Sequence, residues 1–154
     1  MLSIVISDTS SLILFDKIGE FELLNKVYDL IVTTPQIAVE FGKSLPDWVE
    51  IIEIKDKKYQ AFLETQVDWG EASAIALAKE IDNSIMLLDD LKARKLADKL
   101  NLKFTGTLGV FHKAKQLGFV DKIKPLIDKL LRTNFRISED IIVELLKINN
   151  EIED

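Results

Sequence analysis

The side chains best placed for chemistry in this sequence are acids that close or follow short apolar runs. Asp8 ends the run from Leu2 to Ile6, and Asp89 and Asp90 follow the run from Ile85 to Leu88. Glu71 opens an almost wholly apolar segment, and Glu40 lies late in a segment that begins at Pro35. Carboxylates brought together resist joint ionisation unless a cation compensates them. Hard oxygen ligands without Cys or His select magnesium or manganese over zinc or copper. Two such ions about 4 Å apart bind a scissile phosphate, generate hydroxide from water and stabilise the leaving oxygen. That chemistry is phosphodiester hydrolysis, and it needs no protein nucleophile.

Composition narrows the alternatives. The absence of cysteine removes thiol catalysis, Cys-ligated zinc and disulfides. A lone His112 leaves no histidine-based zinc site and no relay of several histidines. The net charge of −6 argues at first against a nucleic-acid partner. An acid cluster that binds cations weakens the objection, because it concentrates negative charge where bound cations then invert the field. With 154 residues, 47% hydrophobic, the chain fits one domain over 1–154. The N-terminal MLSIVIS is too short to span a bilayer and lacks a basic flank, so a cytoplasmic protein without a membrane partner is expected.

Periodicity supplies the elements that must position these acids. Leu2 to Ile6 reads as a buried parallel strand. Helical runs follow over Ser10 to Phe15 and Phe21 to Val27, then a strand over Leu30 to Val32. Pro35 starts a helix carrying Glu40 and stopped by Gly42. Val49 to Ile54 reads as an edge strand, and Lys57 to Glu64 as a helix. Gly70 opens a helix, Glu71 to Ile81, whose apolar body marks it as buried. Ile85 to Leu88 and Leu102 to Phe104 are strands. Lys92 to Leu100 and Thr107 to Leu117 are helices. Two more helices, within 121–150, belong to the same domain, the last capped by Ser138. This alternation predicts a three-layer α/β/α fold with an open, mostly parallel sheet of about five strands. In such sheets, sites form beyond the carboxyl ends of the strands.

Each acid also has a plain structural role open to it. Asp8 suits an N-cap, Glu71 the positive end of a helix, Glu40 a solvated face, and Asp89-Asp90 a turn. Singly, those roles are the better reading for all but Asp8. Jointly, the ordered set points to a site.

That ordered set is also where the chain resembles a known family. Ile6-Ser7-Asp8-Thr9-Ser10-Ser11-Leu12-Ile13, Gly70-Glu71-Ala72-Ser73-Ala74-Ile75-Ala76-Leu77-Ala78, Leu87-Leu88-Asp89-Asp90 and Thr105-Gly106-Thr107-Leu108-Gly109-Val110 resemble the PIN domains. The likeness is nearest to a prokaryotic branch related to VapC-like toxin ribonucleases, and it runs over roughly the whole chain. It implies a magnesium- or manganese-dependent endoribonuclease with RNA as substrate, and a possible antitoxin partner or homodimer. It assigns catalytic acids to Asp8, Glu40, Glu71 and Asp90. Metal ligation falls on Asp8, Glu71 and Asp90, with Asp89 as co-ligand or as substitute for Asp90, and a supporting hydroxyl on Ser10. The third family position is often Asp where this chain has Glu71, which remains a hard oxygen donor.

Lys92, Arg94, Lys95 and Thr107 are candidate contacts to the RNA backbone, set against a solvated helix face for the cations and an N-cap for Thr107. His112 is expected to be structural or solvent-facing, with no catalytic role. Trp48 and Trp69 are expected to pack, though either has a face that bases stack on. A different class of function is a PIN-like binding module with weak or no catalysis, its C-terminal helices receiving a partner or finishing the core. A receiver or haloacid-dehalogenase-like phosphatase ranks lower, since Asp8 has no second Asp two residues on.

Overall fold

The computed structural model describes residues 2–152, so residues 1, 153 and 154 of the expected domain lie outside it. In chain order the elements are β1 (Ile4–Ser7), α1 (Thr9–Lys17), α2 (Phe21–Val27), β2 (Leu30–Thr33), α3 (Pro35–Phe41), β3 (Val49–Ile51) and α4 (Lys57–Leu63). They continue with α5 (Trp69–Glu80), β4 (Ser84–Leu87), α6 (Leu91–Lys99), β5 (Phe104–Thr105), α7 (Thr107–Gln116), α8 (Lys124–Leu131) and α9 (Glu139–Ile148).

The five strands form one sheet in the order β3-β2-β1-β4-β5. Every pairing is parallel, so the expected mostly parallel sheet is parallel throughout. Successive strand residues point to opposite faces. Val5 and Ile6 of β1 are both fully buried, as are Ile31 and Val32 of β2, so helices must cover the sheet on both sides. The α/β/α layering follows. β3 is an edge strand, as its alternating pattern predicts, but it stops at Ile51.

The order of strands locates the site. The chain moves outward from β1 through β2 to β3, then returns to the other side of β1 for β4 and β5. The direction of winding reverses between β1 and β4. A crevice opens beyond the carboxyl ends of two strands whose following helices diverge.

Of the C-terminal helices, α8 finishes the core with Leu126, Ile127 and Leu130, whereas α9 buries Leu146 and leaves Ile141 and Ile148 exposed. Glu151 fastens this end. Its carboxylate accepts from the Ile123 amide at 2.8 Å, the Lys124 amide at 3.0 Å and Lys115 Nζ at 2.9 Å. Those amides open α8 and have no partner within the helix. His112 Nδ1 lies 3.0 Å from the Asn149 side-chain nitrogen. Trp48 packs edge-to-face on Phe21, with ring centroids 5.3 Å apart.

Candidate active site

β1 and β4 run in register from Ile4 against Ser84 to Ser7 against Leu87, and the Asp8 amide donates to Leu87 O at 3.3 Å. The acids after these strands therefore emerge side by side. Asp8 caps α1, its Oδ1 accepting from the Ser11 amide at 2.9 Å. Asp90 caps α6, its Oδ2 accepting from the Ala93 amide at 2.9 Å. The N-cap role and the site role are thus compatible, because each cap bond takes one carboxylate oxygen and leaves the other.

Glu40 and Glu71 arrive from the helices on the β2 side. Thr34 caps α3 through the Ile37 amide, and its hydroxyl lies 2.7 Å from that of Ser73, which donates to Gly70 O at 2.6 Å. This buried chain clamps the start of α3 to the start of α5. Glu40, near the end of α3, accepts from the Thr9 hydroxyl at 2.5 Å. A methyl group at position 70 would stand 2.1 Å from Glu40 Oε1. Only a residue without a side chain lets Glu40 lie across the opening of α5.

Asp8, Glu40, Glu71 and Asp90 line one cavity of about 420 Å³, with Thr9 and Ser10 at its wall. Asp68 joins them. Sequence reasoning missed Asp68, although Asp68-Trp69-Gly70-Glu71 carries the Asp-x-x-Glu spacing of a capping box. The helix accordingly begins at Trp69, with Asp68 at the N-cap, rather than at Glu71.

The electrostatics are those of acids held against their own charge. Burial pushes Asp8 up to about 6; the nearby Ser11 hydroxyl and the bond from the Ser11 amide pull the other way, and the charges of Asp89 and Asp90 push up again. Burial, followed by the charges of Asp90 and Asp8, pushes Glu71 up to about 7 against the pull of the Asp68 amide. No three His, Cys, Asp or Glu side chains among the described residues already close on a common point. The donor set nonetheless suits a hard divalent cation, being all oxygen and short of counter-charge.

The remaining expected residues divide. Ser10 is exposed at the wall of the cavity. Asp89 is not among the residues lining it. Its carboxylate accepts from the Thr107 amide and hydroxyl at 3.0 and 2.6 Å, with Arg94 Nη2 3.7 Å away. Arg94 donates through Nε to Leu88 O at 2.6 Å and stacks over Phe104. A methyl group at Gly106 would lie 2.1 Å from Arg94 and 2.6 Å from Asp89, so the turn is closed around both. Thr107 is fully buried and is the first residue of α7, not its cap, so its hydroxyl serves Asp89 and does not face solvent. Lys92 and Lys95 are exposed on α6, and Trp69 is partly exposed at the start of α5.

A family model described as a PIN domain matches residues 4–151. No curated protein and no solved structure matches the chain.

Proposed function

We propose that this chain, which belongs to the PIN-domain family, is a metal-dependent endoribonuclease. PIN domains are in general nucleases. The observation that carries the finer reading is the meeting of Asp8, Glu40, Glu71 and Asp90 on one cavity at the winding reversal of the sheet.

Asp8, Glu71 and Asp90 would hold magnesium or manganese. When bound, such an ion neutralises phosphate charge and polarises water. The chain's own groups have distinct tasks. Asp8 and Asp90 are fixed by their cap bonds, which orient their free oxygens without further ordering. Glu71, pushed up to about 7 by burial and the charges of Asp90 and Asp8 while no cation is present, would ionise on meeting one, and serves as a ligand or orients the attacking water. Glu40, tethered to Thr9, orients that water or adds a ligand. Ser10 supplies a hydroxyl beside the acids. Lys92 and Lys95 offer exposed ammonium groups to the RNA backbone, while Arg94, Asp89 and Thr107 brace the turn that carries Asp90.

A role as the toxin of a toxin–antitoxin pair rests on the likeness of the Asp8 and Glu71 motifs to VapC-like chains. Exposed Ile141 and Ile148 on α9 offer an apolar surface to an antitoxin or to a second copy.

The test incubates purified protein with single-stranded and structured RNA in manganese, magnesium or EDTA, beside Asp8→Asn. Metal-dependent cleavage that is lost in Asp8→Asn is expected. Absence of cleavage in every metal, with no heat of metal binding in calorimetry, would leave a PIN-fold binding module as the account of the chain.

A further inference from the structure

A second cavity of about 420 Å³ adjoins the acidic one, and Ser10 and Asp90 line both. Its chemistry is different. Ile13 and Leu14 of α1 and Phe135 of the α8–α9 connection give it apolar walls, and Asn134, Lys17 and Asp89 bring polar groups to it. The connection is anchored: the Thr133 hydroxyl donates to Leu130 O at 2.6 Å and accepts from the Phe135 amide at 3.1 Å. Phe135 is therefore presented from a fixed turn, partly packed on the core. Lys17 forms no ion pair among the described residues.

We infer that this cavity receives one unstacked nucleobase of the RNA, next to the phosphate held over Asp90. The assignment rests on the nuclease reading for its substrate class. Every base has a π face for an aromatic ring, and an edge of donors and acceptors that an amide such as Asn134 can meet from either side. An ammonium at the rim suits the adjoining phosphate. A paired base cannot enter without leaving its stack, so the cavity selects single-stranded or bulged RNA.

The test is an NMR titration of isotope-labelled protein, in magnesium, with adenosine and uridine 5′-monophosphates, which contain no diester to cleave. Ribose 5-phosphate is the control. Resonances of the Asn134 side-chain amide and the Phe135 main-chain amide should move with the nucleotides and not with the control. Phe135→Ala should weaken binding roughly five- to a hundredfold. Asn134→Ala and Ile13→Ala, at exposed positions that leave folding intact, should weaken it about three- to tenfold. Manganese-dependent RNA cleavage is followed on the same wild-type sample. Nucleotide-dependent shifts without cleavage in any metal would uphold the base cavity and sink the nuclease reading. Equal response to ribose 5-phosphate, or none to either nucleotide, would overturn the base cavity even if RNA is cut, and leave it to a side chain of a protein partner.

Discussion

The Thr107 hydroxyl donates to Asp89 Oδ2 at 2.6 Å while the Thr107 amide donates to Oδ1 at 3.0 Å. Both oxygens of Asp89 are thereby engaged by the first residue of α7, and Asp90, one residue on, borders the acidic cavity. Adjacent acids thus have different surroundings. Thr107→Val should lower unfolding stability by roughly 1–3 kcal/mol in urea, because it removes a buried donor from a charged acceptor. Asp90→Asn should unfold within about 0.5 kcal/mol of wild type, since Asn caps a helix as well as Asp, yet lose metal binding in calorimetry. The reverse pattern would exchange the two roles.

Gly70→Ala isolates the position of Glu40. Alanine suits a helix better than glycine by about 1 kcal/mol, and the atom it strikes is the end of an exposed side chain that can move aside. Stability should change by less than about 1 kcal/mol, while cleavage falls at least tenfold as Glu40 is displaced. Full activity in Gly70→Ala would remove Glu40 from the mechanism.

In EDTA, stability should decline as pH rises from about 4 to about 7. The folded-state values of Asp8 and Glu71, about 6 and about 7, lie above those of the unfolded chain. The folded protein therefore binds more protons across that window, and the slope of stability with pH is negative there. Thermal melts at pH 5.5 and 7.5 read the effect, with the higher midpoint expected at pH 5.5. Asp8→Asn should raise the midpoint at pH 7.5, through a gain in stability on the order of 3 kcal/mol at most. Manganese should do the same for wild type and not for Asp8→Asn. A pH-independent midpoint in EDTA would contradict the strain assigned to these acids.

Glu151→Ala should destabilise the domain by roughly 3 kcal/mol, measured by denaturant unfolding. It takes the counter-charge from the Lys115 ammonium, which keeps only the Asn149 carbonyl, and leaves the two amides that open α8 without their acceptor. Glu151→Gln, which keeps an acceptor, should recover part of that loss.

Much of this arrangement is legible in the chain. Local rules identify Thr34-Pro35 as a helix start, Gly42 as its stop, and Asp8 as an acid at a strand end, because each depends on a few neighbouring residues. β1 ends at Ser7 instead of Ile6 because pairing with Leu87 extends it. What sets the surroundings of Asp89 apart from those of Asp90 is not local: Thr107, 18 residues away, engages Asp89, and Arg94 reaches back to Leu88. The clamp from Thr34 to Ser73 spans 39 residues, and no periodicity announces it. Asp68 had a local signal in its spacing from Glu71, hidden by the apolar prominence of the helix that follows.

The central strand of the sheet is the first to be made. β1 lies between β2 and β4, and its second neighbour begins only at Ser84. A chain growing from its N-terminus must hold Val5 and Ile6 without their full cover until most of the domain has been synthesised. Asp8 meets its counterpart Asp90 later still. No N-terminal fragment ending before that acid can assemble the cavity, so any activity it confers is deferred until nearly three fifths of the sequence is available.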